Sequence, residues 1–426
     1  MIKVIEKIKM PIYIQFIIYI SIIEVFFSFF FNLLGFQTFQ MIPYLRFVII
    51  FFSSLFFSRL ILSSNDLFSL RISNKSENIL VLLWVFFTGI GIIIGILNQN
   101  PILYFITDLL YIIFGYIIYR IFLTDKKLIN EIKIGLNTTQ EKKLLVFFIF
   151  ITILALLFSV ELPSFIVVFS LVYSLYFYWF KKYINMSISI IPFFFQFLTA
   201  NRAILLVFIF ILFFSFSHNK FSKKNIIFLF LFLFSFFFLS SFFIKDMLKL
   251  VINILPENPN TLKDRLVQIY LIFSGKANWN SPSMLSLQQR IDEASLVLSF
   301  WFSNPMNFFF GGGMGATLEG YSFKDTGVVS SALLGKSAIH NIHLLPFSFL
   351  FRYGFFGLII FLNIFYNFFK YFLKIITDVK SQFAIIVCFQ FCWILYSFPA
   401  ASYLWTCPFF WITLAYLSNE NKIFNS

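Results

Sequence analysis

Acid, histidine and cysteine are scarce in this chain: 18 Asp and Glu, three His and three Cys among 426 residues, against 32 Lys and Arg and 70 Phe. Cys388, Cys392 and Cys407 all fall in the last two apolar runs, out of easy reach of an oxidising compartment, so no disulfide framework is expected. No CxxC spacing marks a metal site. Charge is thin as well, at 12% of residues against 60% hydrophobic, and apolar runs of about 17 residues or more recur. Such runs match the thickness of a bilayer rather than of a globule, which excludes a soluble core. No small-residue cleavage site follows the first run, which argues against a cleavable signal peptide. No period of about 20 to 50 residues is evident, and no long central connection separates similar halves, as a two-bundle transporter would require.

What is present is an excess of positive charge, +14 in all, strung along short loops with no basic helix or tail. That distribution argues against a nucleic-acid partner and fits the positive-inside rule of membrane proteins. The runs predict about twelve transmembrane helices, near residues 11–34, 41–62, 79–97, 101–119, 144–160, 164–180, 184–200, 203–217, 226–244, 341–369, 381–397 and 400–417. Lys3, Lys7, Lys9, Arg59, Arg71, Lys126, Lys142, Lys181, Lys220 and Lys370 then fall in alternate loops on one side, which makes both termini cytoplasmic. The expected fold is an all-α integral membrane protein in three parts: a bundle of about nine spans over 1–244, an outer loop with short helices over 245–340, and about three further spans over 341–426. The 70 phenylalanines are read as lipid-facing and interhelical packing rather than as a ligand box.

The outer loop holds most of the residues capable of chemistry. Arg290 sits in Ser286-Leu-Gln-Gln-Arg290-Ile-Asp-Glu293, an expected amphipathic helix with Ser286 and Gln289 spaced as a capping box and an apolar stripe of Leu287, Ile291, Ala294 and Leu298. Trp301 follows about three turns later on nearly the same face, and Asn304-Pro305 ends the helix. An Arg290 to Glu293 surface pair is the plainer reading. Gly311, Gly313 and Gly315 form a run whose backbone N–H groups could approach a phosphate or sugar, although a flexible turn would look the same. His340-Asn341 stands where the loop returns to the membrane, and a histidine there can act as a general base. His343 follows with spacing that could suit zinc, but no Cys or Glu stands at matching distance, so no metal is expected.

Five more charges lie in or beside the spans. Arg202, between two apolar runs on the outer side, is expensive there unless it has a partner or lines a wet cavity; a snorkelling interfacial arginine is the alternative. Glu24 and Asp108 fall inside runs and need partners, for which Arg46 and Arg352 are candidates. Arg352, about three turns after His340, is also placed to bind an anionic substrate. The early outer loop Gly35 to Gln40 holds no acid to fix a divalent ion.

In order, Asn201-Arg202-Ala203 before a span, Arg290 with Trp301, Gly311-x-Gly313-x-Gly315, and His340-Asn341-x-x-Leu344 with Gly354-x-x-Gly357 resemble the O-antigen ligase and polymerase family, over roughly residues 195–365. Asn201 stands where that family often has Ser. The resemblance implies a GT-C-like glycosyltransferase of the bacterial inner membrane, acting on its periplasmic face without a cofactor. Its donor and acceptor would be undecaprenyl-diphosphate-linked glycans within membrane lipid, and a chain-length regulator would be a partner. Arg202, Arg290 and His340 would be catalytic, with Asn341, Trp301, Gly311, Gly313, Gly315 and Arg352 contacting substrate. Phe351-Arg352-Tyr353-Gly354 resembles the polymerase branch more than the ligase branch, which would pass the glycan to lipid A core or another final acceptor. A flippase for lipid-linked glycans is the expectation from another class.

Overall fold

The computed structural model describes residues 10–35, 48, 52, 76–124, 135–197, 202–217, 249, 252–253, 262–274, 276, 285–319, 338–375, 382–399 and 402–418. Apart from Val48 and Phe52, the spans expected near 41–62 and 226–244, together with Arg46 and Asn201, lie outside these residues. The described chain is almost entirely helical. Its helices are α1 (Ile12–Leu33), α2 (Ser76–Leu97), α3 (Ile102–Thr124), α4 (Thr138–Leu157), α5 (Ser164–Trp179), α6 (Tyr183–Ser189), α7 (Ile191–Phe197) and α8 (Arg202–Ser217). They continue with α9 (Leu262–Phe273), α10 (Leu285–Trp301), α11 (Pro305–Phe310), α12 (Leu345–Ile375), α13 (Gln382–Ser397), α14 (Ser402–Trp405) and α15 (Pro408–Ser418). Between α11 and α12, β1 (Leu318–Glu319) pairs antiparallel with β2 (Ala338–Ile339).

Among the described residues, four helices, over Ile12–Leu33, Leu80–Leu97, Ile102–Leu123 and Leu345–Leu373, are long and apolar enough to cross a membrane. The apolar stretches Ser164–Trp179, Tyr183–Gln196, Gln382–Ser397 and Pro408–Ser418 are shorter. Two of the expected spans are interrupted where proline removes a backbone donor. The run over 184–200 breaks between α6 and α7 beside Pro192, and the run over 400–417 breaks between α14 and α15 at Pro408.

Burial divides the helices into two kinds. Phe165 to Phe177 of α5 and all of α15 are buried on every side, as helices enclosed by other helices should be. Helices α1, α2 and α3 instead leave apolar side chains such as Phe30, Ile96 and Leu103 exposed on one face, a surface that suits lipid. Trp411 of α15 fills the centre, stacked on Trp84 at 5.1 Å and lying so close to Gly115 of α3 that no side-chain carbon would fit there. A smaller apolar cluster, including Val297, Ala316, Leu318, Ile339, Ile342 and Phe351, fastens α10 and the β-ladder to the start of α12.

Local signals at the helix ends are mixed. Ser286, expected to open a capping box, lies inside α10 rather than before it, since the helix spans Leu285–Trp301. A reciprocal box forms instead at Asn137 and Gln140, each side chain accepting from the other's backbone N–H at 2.9 and 3.0 Å. Helix α11 carries Pro305 at its first position, and the Asn304 side chain accepts from Asn307 N at 2.8 Å.

Candidate functional site: two buried carboxylates and two histidines

The site begins with a defect in α12. Gly354 has φ 61° and ψ −144°, which interrupts the helical ladder and leaves the carbonyls of Phe351 and Arg352 in need of donors inside an apolar helix. The glycine segment supplies them: Gly312 N donates to Phe351 O at 2.8 Å and Gly313 N to Arg352 O at 3.1 Å. Met314 N then donates to Gly91 O of α2 at 2.9 Å, and Gly315 N to the Asp108 carboxylate of α3 at 3.0 Å. From the other side Asn100 donates to the carbonyls of Gly312 and Met314 at 2.9 and 2.7 Å.

The segment therefore lies backbone against backbone with three helices. A Cβ on Gly313 would come within 2.6 Å of Gly95 N and 2.7 Å of Gly91 O. The approach of Gly311, Gly313 and Gly315 expected for a phosphate is thus used by the protein itself. Gly311 N also donates internally, to Asn307 O at 2.9 Å.

Asp108 is the hub of the first charged cluster. Its Oδ2 accepts from Arg352 Nε at 3.1 Å as well as from Gly315 N, and its Oδ1 lies 3.3 Å from Arg352 Nη2. This two-pronged geometry suits a guanidinium and a carboxylate, and it names Arg352 as the partner that Asp108 needs in an apolar run. Arg352 also donates to Ser348 Oγ at 2.6 Å and lies over the Trp405 ring at 5.3 Å. With its side chain 6% exposed and its donors committed to Asp108 and Ser348, Arg352 is held within the protein rather than offered to an anionic substrate. A small cavity with about 10 Å³ open to a water centre, the room of one molecule, lies among Trp84, Asp108, Ser348, Arg352, Tyr353 and Trp405.

His340 belongs to the same cluster. Its Nδ1 is 2.8 Å from Ala316 O, and since a carbonyl only accepts, that nitrogen carries the proton. Its Nε2 lies 3.4 Å from Asp108 Oδ1 and 3.5 Å from Arg352 Nη2, and the ring stacks on Tyr104 at 4.3 Å. His340 is buried, so the structure gives it a place in a closed network rather than at an open surface.

A second pair forms three residues further along. Glu293 of α10, fully buried, accepts from His343 N at 2.9 Å and from His343 Nδ1 at 2.8 Å, and Gln289 Nε2 also donates to it at 3.1 Å. This reverses the expected face of α10. Gln289, Glu293 and Val297 are buried, whereas Ile291 and Leu298 of the expected apolar stripe are exposed. A charge can occupy the buried face because its partner approaches from a distant segment. Arg290, one turn before Glu293, reaches Pro399 O with Nε at 3.5 Å, and the neighbouring Phe398 O accepts from Leu345 N at 2.9 Å.

Among the other expected site residues, Trp301 stacks on Phe308 at 4.6 Å and donates from Nε1 to Phe308 O at 2.6 Å, which makes it a packing residue of the α10 to α11 corner. Asn341 is exposed. Arg202 opens α8, and its side chain lies outside the described residues. The sequence reading missed Glu293, Asn100, Tyr104 and Asn98, whose Nδ2 donates to Gly312 O at 3.3 Å, as site residues. A carboxylate one turn after Arg290 and an Asn pair beside a glycine-rich helix end were the available signals. Compared with known proteins, the chain matches no family model, no curated protein and no solved structure.

Proposed function

We propose that this chain is a membrane glycosyltransferase of the O-antigen polymerase type, which moves an undecaprenyl-diphosphate-linked glycan onto the end of another lipid-linked repeat unit. The observation that carries the reading is the junction of Glu293 with His343, which brings the arginine helix and the His-Asn segment to one place. Those are two of the elements on which the family resemblance rests.

In this reading the protein works at the outer face of a bacterial inner membrane. Arg290, and Arg202 at the start of α8, hold the donor diphosphate, whose oxygens suit planar guanidinium forks. As the acceptor hydroxyl attacks the anomeric carbon with inversion, negative charge collects on the departing diphosphate. The arginines meet that charge, and the His340 to His343 segment receives the proton. A ligase using lipid A core or another final acceptor is the second reading, since the same junction would serve either acceptor.

The test is to incubate the purified, reconstituted protein with undecaprenyl-diphosphate-linked repeat units alone, beside Arg290→Ala. A ladder of longer lipid-linked chains is expected, made about a hundredfold more slowly by the variant, equivalent to roughly 3 kcal/mol of lost charge stabilisation. No ladder without a second acceptor, followed by transfer when lipid A core is added, would replace the polymerase by the ligase. No transfer to either acceptor would refute the enzyme.

A further inference from the structure

The two histidines of the return segment are held in opposite ways, and the difference decides which of them can take a proton. His340 is enclosed, with one ring nitrogen on Ala316 O and the other within 3.5 Å of Asp108 and Arg352. Tyr104 covers its ring. Both nitrogens are occupied within a side chain that is 7% exposed. The His343 side chain is 38% exposed, and only its Nδ1 is engaged by Glu293.

Glu293 fixes the state of that ring. Its carboxylate already accepts from the backbone N–H of His343 and from Gln289, so Nδ1 faces it as a donor. In neutral imidazole the lone pair then resides on Nε2. A buried carboxylate that holds one nitrogen of a partly exposed imidazole is the orienting arrangement of a general base. Arg290 stands one turn from Glu293 on the same helix, which places an anion-binding group beside the base.

We infer that His343, oriented by Glu293, is the proton acceptor of the site, and that its substrate is a sugar hydroxyl attacking a lipid-linked glycosyl diphosphate. This rests on the function proposed above. The acceptor oxygen forms a bond to the anomeric carbon, and the bond from that carbon to the diphosphate oxygen breaks with its electron pair leaving on the diphosphate. The hydroxyl proton passes to His343 Nε2. The imidazolium so formed is stabilised by Glu293, which keeps the Nδ1 proton hydrogen-bonded, and Arg290 faces the departing charge. His340 is a positioning residue that keeps the return segment on Ala316 and the Asp108 cluster.

The test uses the full-length, reconstituted protein with lipid-linked repeat units, or with lipid A core added where the ligase reading holds. His343→Gln keeps an N–H for Glu293 but lacks a basic nitrogen, and is expected to lose about a hundredfold or more in kcat with KM little changed. In His343→Ala, added imidazole is expected to restore a measurable part of the lost turnover, and His340→Gln should not respond to imidazole. Glu293→Gln should fall in kcat as well. A wild-type protein inactive with both acceptors would overturn the proposed function and this assignment with it. An active wild type together with a fully active His343→Gln would overturn the assignment alone. So would a loss in His343→Ala that imidazole leaves unchanged while the variant elutes and melts like the wild type, because His343 would then be a structural contact.

Discussion

Three glycines with different surroundings allow the contribution of the Gly311 to Gly315 segment to be measured. Gly313 has φ +79°, and a Cβ there would meet Gly95 N at 2.6 Å and Gly91 O at 2.7 Å. Gly35 has nearly the same backbone, φ +77°, but nothing within 4 Å of an added Cβ, and Gly89 has open space without the positive φ. Placing alanine in the left-handed region costs roughly 1–2 kcal/mol. Forcing an extra carbon into a closed contact adds about 1–3 kcal/mol, here against backbone atoms that cannot rotate away. Gly35→Ala should therefore lose about 1–2 kcal/mol and Gly313→Ala about 2–5 kcal/mol, whereas Gly89→Ala, mid-helix, should gain up to about 1 kcal/mol. The assay is reversible unfolding of the purified protein in mixed micelles, followed by tryptophan fluorescence, because Trp84 and Trp411 stack in the adjacent core. If Gly313→Ala loses no more than Gly35→Ala, the close backbone approach between the glycine segment and α2 does not exist.

Two further substitutions probe the charged cluster and the α10 corner. Asp108→Asn and Arg352→Met should each destabilise by about 3–5 kcal/mol, because each leaves a buried partner uncompensated. The double variant should lose clearly less than their sum, and additivity in a double-mutant cycle would rule out the pair. Trp301→Phe keeps a ring against Phe308 but loses the N–H donated to Phe308 O, so about 1 kcal/mol should be lost in the same unfolding assay. A variant as stable as the wild type would show that this hydrogen bond makes no net contribution.

The sequence made some of this legible and concealed the rest for physical reasons. Apolar runs identified α1, α2, α3 and α12 because a helix of bilayer length needs nothing but continuous hydrophobicity. Asp108 and Arg352 stood out because an unpartnered charge among apolar residues is expensive, and each proved to be the other's partner. Glycine was ambiguous. A backbone that must admit a ligand and one that must admit another backbone make the same demand, the absence of a Cβ, and here Gly313 meets Gly91 and Gly95. The buried face of α10 was misread because helical spacing favoured Ile291 and Leu298, whereas Glu293 is buried only through a partner 50 residues away in sequence. Pro192 and Pro408 were visible signals that the continuous hydropathy around them outweighed.

The Asp108 cluster also sets a timetable for assembly. Arg352 is made 244 residues after Asp108, and Gly315 and His340 arrive in between. At synthesis rates of about 5–20 residues per second, α3 waits roughly 12–50 s for its guanidinium. During that interval the nascent chain holds an unmatched acid within an apolar helix, and a ribosome that stalls before Arg352 leaves it so permanently. The completed cluster distinguishes a finished chain from one that stops before Arg352, in which Asp108 keeps no guanidinium partner.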